Sequence, residues 1–304
     1  MKNFSGKVAV ITGAGSGLGR EFADTAASLG MKLVLADIQA DALEKTTDAL
    51  LAQGVEVLAM VCDVSKGAHV EELADAALAR FHGIHLVFNN AGVGSGGLVW
   101  ENSAEDWEWV LGVNLWGVIH GVRVFTPMML EAARKDPNWQ GHIVNVASMA
   151  GLLNSPNMGA YNVSKHAVVS LTETLYQDLA LVTEQVHASV LCPYFVPTGI
   201  HQSHRNRPAE LRSEGKPTPS QLIAQAMSTK AVTSGRVSAT DVAQLVFNAV
   251  EQNQFYVYSH PQALGMVQTR LEDVVQMRNP TDPFAGKPEL GESLRKSLRE
   301  AMGG

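Results

Sequence analysis

Seven short apolar runs, separated by stretches of helical length, constrain this chain more than any other feature. Residues 8–11, 32–36, 55–61, 86–88, 142–146, 188–191 and 255–258 read as strands. Helical patterns occupy 18–29, 40–52, 69–81, 104–134, 160–183 and 239–252 between them. A strand that is apolar on both of its alternating faces must be covered on both, and connections long enough for a helix permit parallel crossovers. Right-handed crossovers then give an α/β fold, a doubly wound parallel sheet of Rossmann-like type. A single domain over 1–260 is expected, and a composition of 46% hydrophobic and 17% charged residues in a chain of 304 supports one sizeable core.

Two regions break the rhythm. Residues 200–236 are polar and carry Pro208, Pro217 and Pro219 between a strand and the last long helix, so they are expected to form a substrate lid. Such a segment has little apolar area to offset ordering entropy, so it is expected to be the most mobile part of the chain without ligand. Residues 261–304 form a C-terminal extension, with Pro283, Gly286, Pro288 and Gly291 before a charged helical stretch. It reads either as a disordered end or as an arm reaching a partner subunit.

Charge and composition exclude several partners. A net charge of -7 and a pI near 5.8 argue against a nucleic-acid partner, which calls for a basic face. The most membrane-like stretch, 109–130, is interrupted by Asn114, His120 and Arg123. A spanning helix needs about 20 predominantly apolar residues, so no membrane partner is expected and the stretch reads as a buried helix or a subunit interface. The N-terminus runs into the first strand without an apolar signal segment, and Cys62 and Cys192 are too few for a disulfide framework. A cytoplasmic location is expected.

Between the first strand and the first helix lies Thr12-Gly13-Ala14-Gly15-Ser16-Gly17-Leu18-Gly19. Glycines there allow a tight turn and close approach of a pyrophosphate to the positive end of the following helix. Asp37 ends the second strand, eighteen residues beyond Gly19. A carboxylate at that place accepts hydrogen bonds from both adenosine ribose hydroxyls and repels a 2'-phosphate. Ile38 follows, with no arginine to neutralise such a phosphate, so the expected cofactor is NAD. The other reading of Asp37 is an N-cap of the next helix. Asp63, at the end of the third strand, either meets the adenine amino group or caps a turn. Asn89-Asn90-Ala91-Gly92 ends the fourth strand with small residues that let the backbone approach a cofactor.

Tyr161 and Lys165 stand at i and i+4 on one helix and share a face, thirteen residues after Ser148. A tyrosine titrates near 10, and bringing it into the neutral range takes roughly 3 to 4 kcal/mol of preferential stabilisation of the phenolate. A nearby ammonium and the positive nicotinamide of an oxidised cofactor supply charge of the right sign. Lys165 can also bond the nicotinamide ribose, the Ser148 hydroxyl can orient a substrate oxygen, and Asn114 can hold a proton-relaying water.

With these motifs in place, the chain resembles the short-chain dehydrogenase/reductase superfamily, in its common soluble single-domain branch, over about 1–260. The resemblance implies a catalytic tetrad of Asn114, Ser148, Tyr161 and Lys165. It implies cofactor contacts from Gly13, Gly15, Ser16, Gly17, Leu18, Gly19, Asp37, Asp63, Val64, Asn90, Ala91, Gly92, Tyr161, Lys165, Pro193, Val196 and Thr198. Substrate contacts are implied at Ser148, Tyr161 and Tyr194. It implies a homodimer or homotetramer built on the helices of 109–130 and 161–183. The family's Pro-Gly after the sixth strand is here Pro193-Tyr194, which puts a bulky phenol either in the substrate pocket or packed beneath the lid. The lid residues and Tyr256-x-Tyr258-x-His260 resemble, more loosely, dehydrogenases of bulky aromatic or alicyclic alcohols.

The expected activity is NAD-dependent interconversion of a bulky, hydrophobic secondary alcohol and its ketone, with a small-molecule alcohol or ketone as partner and Tyr161 as general acid/base. Two alternatives are an NADPH-dependent ketoreductase, which Asp37 disfavours, and a non-catalytic NAD(P)-sensing regulator, which the Tyr-Lys pair disfavours. No metal site is expected: His82/His85 and His201/His204 have a suitable i,i+3 spacing, but neither pair has a third ligand nearby and both read as solvated surface residues. Ser148 lacks the G-x-S-x-G setting of a hydrolase nucleophile. Of the tryptophans, Trp100 reads either as packing or as pocket wall.

Overall fold

The computed structural model describes residues 1–212 and 215–302, so positions 213 and 214 of the expected lid and 303 and 304 of the extension lie outside the described residues. All seven apolar runs become strands: β1 (Val8–Thr12), β2 (Lys32–Asp37), β3 (Val57–Val61), β4 (Leu86–Asn89), β5 (Gly141–Val146), β6 (Val186–Cys192) and β7 (Tyr256–Tyr258). They form one sheet in the order β3-β2-β1-β4-β5-β6-β7, parallel at every pairing. The helices are α1 (Gly17–Ser28), α2 (Ala40–Leu51), α3 (Gly67–Phe81), α4 (Ala104–Leu111), α5 (Gly117–Lys135), α6 (Gly159–Val182), α7 (Pro219–Thr233), α8 (Ala239–Gln252), α9 (Leu264–Val275) and α10 (Pro288–Ala301).

Strand alternation sends successive side chains to two separate cores. Ala9, Ile11, Leu33 and Leu35 join the core under α1 and α8, where Phe22 stacks on Phe88 and Phe88 packs at a tilt on Phe247, with centroids 4.6 and 5.5 Å apart. Val8, Val10, Val34 and Ala36 join the opposite core with Leu73 of α3 and Phe125 and Met129 of α5. Each buried aromatic or large aliphatic side chain contributes about 1.5–3 kcal/mol of transfer free energy. A doubly covered sheet is therefore the arrangement in which these nearly all apolar strands bury both faces, apart from the edge strand β3.

Three elements depart from the sequence reading. The helix expected over 104–134 is interrupted by a π-helical turn, Gly112–Trp116, between α4 and α5. Residues 200–236, read as a polar, proline-bearing lid, contain α7, which starts with a Thr218/Gln221 capping box and Pro219 at its first turn. The C-terminal extension forms α9 and α10 and folds back on its own subunit, with α10 packed against α7. The lid is also tied to the body. Arg207 Nη1 pairs with the Asp106 carboxylate at 2.5 Å, Gln221 Nε2 donates to the same carboxylate at 3.1 Å, and the Arg207 guanidinium lies over the Trp109 ring. No helix of the described residues is long and apolar enough to cross a membrane.

His85 is not the solvated surface residue its neighbourhood suggested. Its ring stacks on Trp139, and its Nδ1 accepts the Val8 N–H at 3.2 Å, a role that requires an unprotonated nitrogen. Burial pulls its pKa down to about 4. His142 is likewise held neutral by full burial, with Nε2 2.7 Å from Ser189 Oγ. The unfolded chain therefore takes up these protons first, near pH 6.5. Stability from the neutral rings is intact above that pH and is lost as the pH falls toward 4. The expected loss for His85 is on the order of 2 kcal/mol. His85→Asn, whose carbonyl oxygen can accept the Val8 N–H, should flatten part of the decline in thermal midpoint between pH 6.5 and 4. Identical acid slopes for the variant and the wild type would show that His85 is not a source of acid lability.

Candidate active site

The carboxyl ends of β1 and β4 are clasped together. Thr12 Oγ1 donates to Phe88 O at 3.2 Å and accepts the Asn90 and Ala91 N–H groups at 3.0 and 3.1 Å, while Asn90 Nδ2 donates to Thr12 O at 2.8 Å. The glycine-rich turn lies across this clasp. Gly13 has φ +69°, and a Cβ there would lie 2.9 Å from Ala91 Cα; a Cβ on Gly19 would lie 2.0 Å from Gly13 O. A side chain at either place would push the turn off the sheet. α1 begins at Gly17 after an extended Ser16 that makes no side-chain cap, so its first N–H groups open toward the cleft beside it.

Asp37 ends β2, and its carboxylate accepts Gly15 N–H at 2.8 Å and Gln39 N–H at 2.9 Å. The N-cap of α2 is Gln39, not Asp37. Asp63 accepts both the N–H and the hydroxyl of Ser65, at 3.0 and 2.7 Å, so it caps a turn while its side chain still borders the cleft.

The catalytic candidates meet on the opposite wall. Ser148 follows β5; its hydroxyl accepts the Ala150 N–H at 3.1 Å and donates to Pro193 O at 3.4 Å. It also bonds the Tyr161 side chain, which favours the phenolate, but burial outweighs that and holds the Tyr161 pKa above its usual value. The lowering expected from Lys165 is not a property of the protein groups alone. Lys165 Nζ lies 5.8 Å from the Tyr161 ring centroid and donates to Val146 O at 3.0 Å, and burial pulls its pKa down to about 8. Asn114 sits in the π-turn, with Oδ1 accepting Val93 N–H at 2.7 Å and Nδ2 donating to Val93 O at 2.9 Å and Ser164 Oγ at 3.2 Å. Its side chain is fully buried and braces the loop after β4 to α6 rather than facing the cleft. π-turns of this kind often mark functional sites because they displace one residue from the regular ladder.

These walls enclose one cleft of about 1200 Å³, lined by Gly13, Ser16, Gly17, Leu18, Asp37, Asp63, Val64, Asn90, Ala91, Gly92, Ser148, Tyr161, Lys165, Pro193, Tyr194, Val196 and Thr198. Of the site residues expected from sequence, only Gly15, Gly19 and Asn114 stand behind its surface. Tyr194 faces the cleft and also packs on Phe195 and His260, with centroids 4.2 and 5.9 Å away. Trp100 is 70% exposed and does not line the cleft. Sequence reasoning missed Ser203, a buried hydroxyl that accepts Gly94 N–H at 2.9 Å and ties the lid to the loop after β4. It also missed the wall from α9: Met266, Thr269, Arg270, Asp273 and Val274 recur at helical spacing on one face. That spacing is readable in the sequence once the segment is taken as a helix. Among the described residues, no group of three or more His, Cys, Asp or Glu is placed to hold a metal ion.

Comparison with known proteins agrees with this geometry. The short chain dehydrogenase family model matches residues 7–209. A crystal structure of a short-chain dehydrogenase/reductase from Burkholderia phymatum in complex with NAD shares 58% identity, covers 93% of this chain and 99% of its own, and superposes with a TM-score of 0.90. The CLA biosynthesis dehydrogenase/reductase of Lactiplantibacillus plantarum is 36% identical across 90% of this chain and 95% of that protein. The 1-deoxy-11-beta-hydroxypentalenate dehydrogenase of Streptomyces avermitilis is 34% identical across 87% of each. With its parallel sheet, glycine-rich turn and Ser-Tyr-Lys wall, this chain belongs to the short-chain dehydrogenase/reductase superfamily of oxidoreductases.

Proposed function

We propose that this protein is an NAD-dependent oxidoreductase that interconverts a bulky, hydrophobic secondary alcohol and its ketone. The observation that carries this reading is a single one: Ser148, Tyr161 and Lys165 face the same cleft into which the N-terminus of α1 and the Asp37 carboxylate open. The steric cradle at Gly13 and Gly19, the uncapped first turn of α1 and the absence of a cation beside Asp37 fit a dinucleotide without a 2'-phosphate. The NAD held by the Burkholderia protein supports the same choice, and the hydroxyl named in the Streptomyces relative's substrate supports an alcohol.

In this reading the turn of Gly13 to Gly19 holds the pyrophosphate, Asp37 the adenosine ribose, and Asp63 and Val64 border the adenine. Asn90, Ala91, Gly92, Pro193, Val196 and Thr198 border the nicotinamide end. Bound NAD supplies the hydride acceptor, and NADH the donor. The chain's own work is on the proton. Ser148 orients the substrate oxygen by hydrogen bonding, and Tyr161 takes the hydroxyl proton during oxidation or returns it during reduction. Lys165 supplies a positive charge beside the phenol. Tyr194 and the lid exclude water from the apolar half of the cleft. The exposed apolar residues Trp116 on the π-turn and Val163, Tyr176, Leu181 and Val182 on α6 support a homodimer or homotetramer built on these helices. Two buried free thiols, Cys62 and Cys192, suit the reducing cytoplasm.

A panel of hydrophobic alcohols and ketones with each cofactor, followed by the near-ultraviolet absorbance of reduced nicotinamide, tests the activity. Tyr161→Phe should lower kcat by about 10²–10⁴-fold while leaving NAD affinity close to wild type; a variant that keeps most of its turnover would remove Tyr161 from the proton transfer. For the cofactor, Asp37→Ala should lower kcat/KM with NAD by about ten- to a hundredfold, the worth of a charge-assisted hydrogen bond. Because the same carboxylate also holds Gly15 N–H, Asp37→Asn should retain part of that loss through its remaining acceptor. Neither variant should gain strong NADP use, since no arginine is supplied. A wild type that prefers NADP would overturn the role given to Asp37.

A further inference from the structure

We propose that the substrate carries a carboxylate, and that Arg270 on the C-terminal helix α9 binds it while the reacting alcohol or ketone sits at Tyr161. This rests on the oxidoreductase reading above and narrows its substrate class to hydrophobic hydroxy and keto acids.

The cleft is lined by four cationic side chains besides Lys165: Arg205, Arg270, Arg278 and Lys287. Arg205, Arg278 and Lys287 are exposed. Arg205 also bonds Gln202 Oε1, and Arg278 pairs with Asp273 and Glu272. Arg270 alone is partly buried in the wall, and among the described residues it makes no hydrogen bond or ion pair. A guanidinium drawn out of water without a partner is costly, and a planar carboxylate is the group its donor fork matches best.

The acidic groups of the cleft point the same way. All four of its carboxylates are already engaged within the protein. Asp37 holds Gly15 and Gln39 N–H, and Asp63 holds Ser65. Asp273 holds Thr281 N–H at 2.9 Å and Arg278 at 3.0 Å. Asp282 holds Phe284 N–H at 2.8 Å and Arg295 at 2.6 Å. Asp273 stands three residues from Arg270 on the same helix face, within easy reach, yet it is turned to Arg278 and the chain after α9. The local network thus satisfies the acids, and of the cations it leaves without one only Arg270 is drawn into the wall, beside a largely apolar space that includes Met266, Val274 and Leu290. An amphipathic acid matches both halves: its body fills the apolar wall, and its head pairs with Arg270.

The test uses the full-length enzyme and keto acids ranging from 4-oxocyclohexanecarboxylate to oxo-octadecanoates with the ketone at different positions, each beside its methyl ester. Binding to the NADH complex is measured by calorimetry alongside turnover, so a compound that binds without reacting still reports. At least one acid should exceed its ester by about ten- to a hundredfold in kcat/KM or affinity, the scale of a charge-assisted pair. Arg270→Ala should bring that ratio close to one, mainly through KM, and Arg270→Lys should restore part of it. Thermal melting and NADH binding check that each variant is folded, and Arg270→Gln serves if the alanine variant is not. Esters and acids handled alike, a preference untouched at Arg270, or no binding of any acid would each overturn the carboxylate assignment. Turnover of neutral ketones in those cases would leave the oxidoreductase reading standing. Undiminished turnover in Tyr161→Phe would instead strike the catalytic reading itself.

Discussion

The divergence of chain connections at the carboxyl ends of β1 and β4 is the constraint on which the rest of the structure depends. After β1 the chain crosses to β2 on one side, while the strand on the other side is β4, so the order β3-β2-β1-β4-β5-β6-β7 reverses at this pair. A parallel doubly wound sheet opens a crevice where the order reverses, since neighbouring crossovers leave in opposite directions. The clasp from Thr12 to Asn90 and Ala91 closes the floor of that crevice. It thereby fixes the distance between the glycine-rich turn on one side and the Gly92-Val93 wall, braced by Asn114, on the other.

Holding polar side chains in the dry interior next to that crevice takes a second layer of bonding. Asn89 Nδ2 donates to Asn145 Oδ1 at 2.8 Å, Asn145 Nδ2 donates to Thr172 Oγ1 at 3.0 Å, and Thr172 Oγ1 donates to Val168 O at 2.6 Å. All three side chains are buried. A buried amide left unpaired costs about 1–3 kcal/mol, so a ladder in which each member has its partner specifies register as well as stability. This ladder joins β4, β5 and α6, the elements that carry Asn90, Ser148 and Tyr161. α5 can approach it only because residue 121 is glycine; a Cβ there would stand 1.9 Å from Asn89 Oδ1.

The legible parts of the sequence were those whose signal is local. Wholly apolar runs announce strands of a covered sheet, and the turn from Gly13 to Gly19 with Tyr161 and Lys165 one helical turn apart announces the two walls. The π-turn at Asn114 was not legible, because a single extra residue in a helix leaves the apolar pattern nearly unchanged on either side. α7 was missed because its cleft-facing residues, such as Gln221, Ala224, Gln225 and Ser228, are small or polar, and its other contacts are divided between α10 and the lid segment of 199–206. No single apolar stripe marks it. The placement of α9 depends on where the chain folds back, which no period encodes, although its spacing of three and four was present in the letters. His85 read as solvated because its burial comes from Trp139, more than fifty residues away.

Burial acts on Tyr161 and Lys165 in opposite senses. Desolvation disfavours the charged form of each group, so it raises Tyr161 and lowers Lys165, the latter to about 8. The two groups, close in proton affinity in water, are thereby driven apart, with the proton still on the phenol near neutrality. In the proposed reaction, the positive charge of an oxidised nicotinamide in the cleft would favour the phenolate, and its loss on reduction would favour the neutral phenol. The hydrogen bond from Ser148 biases the pair in the same direction as that charge. A tyrosine lowered permanently by fixed protein charges would hold its proton too weakly to return it to a ketone. In the proposed reaction, a phenol that keeps its proton until that charge is present can act in both directions.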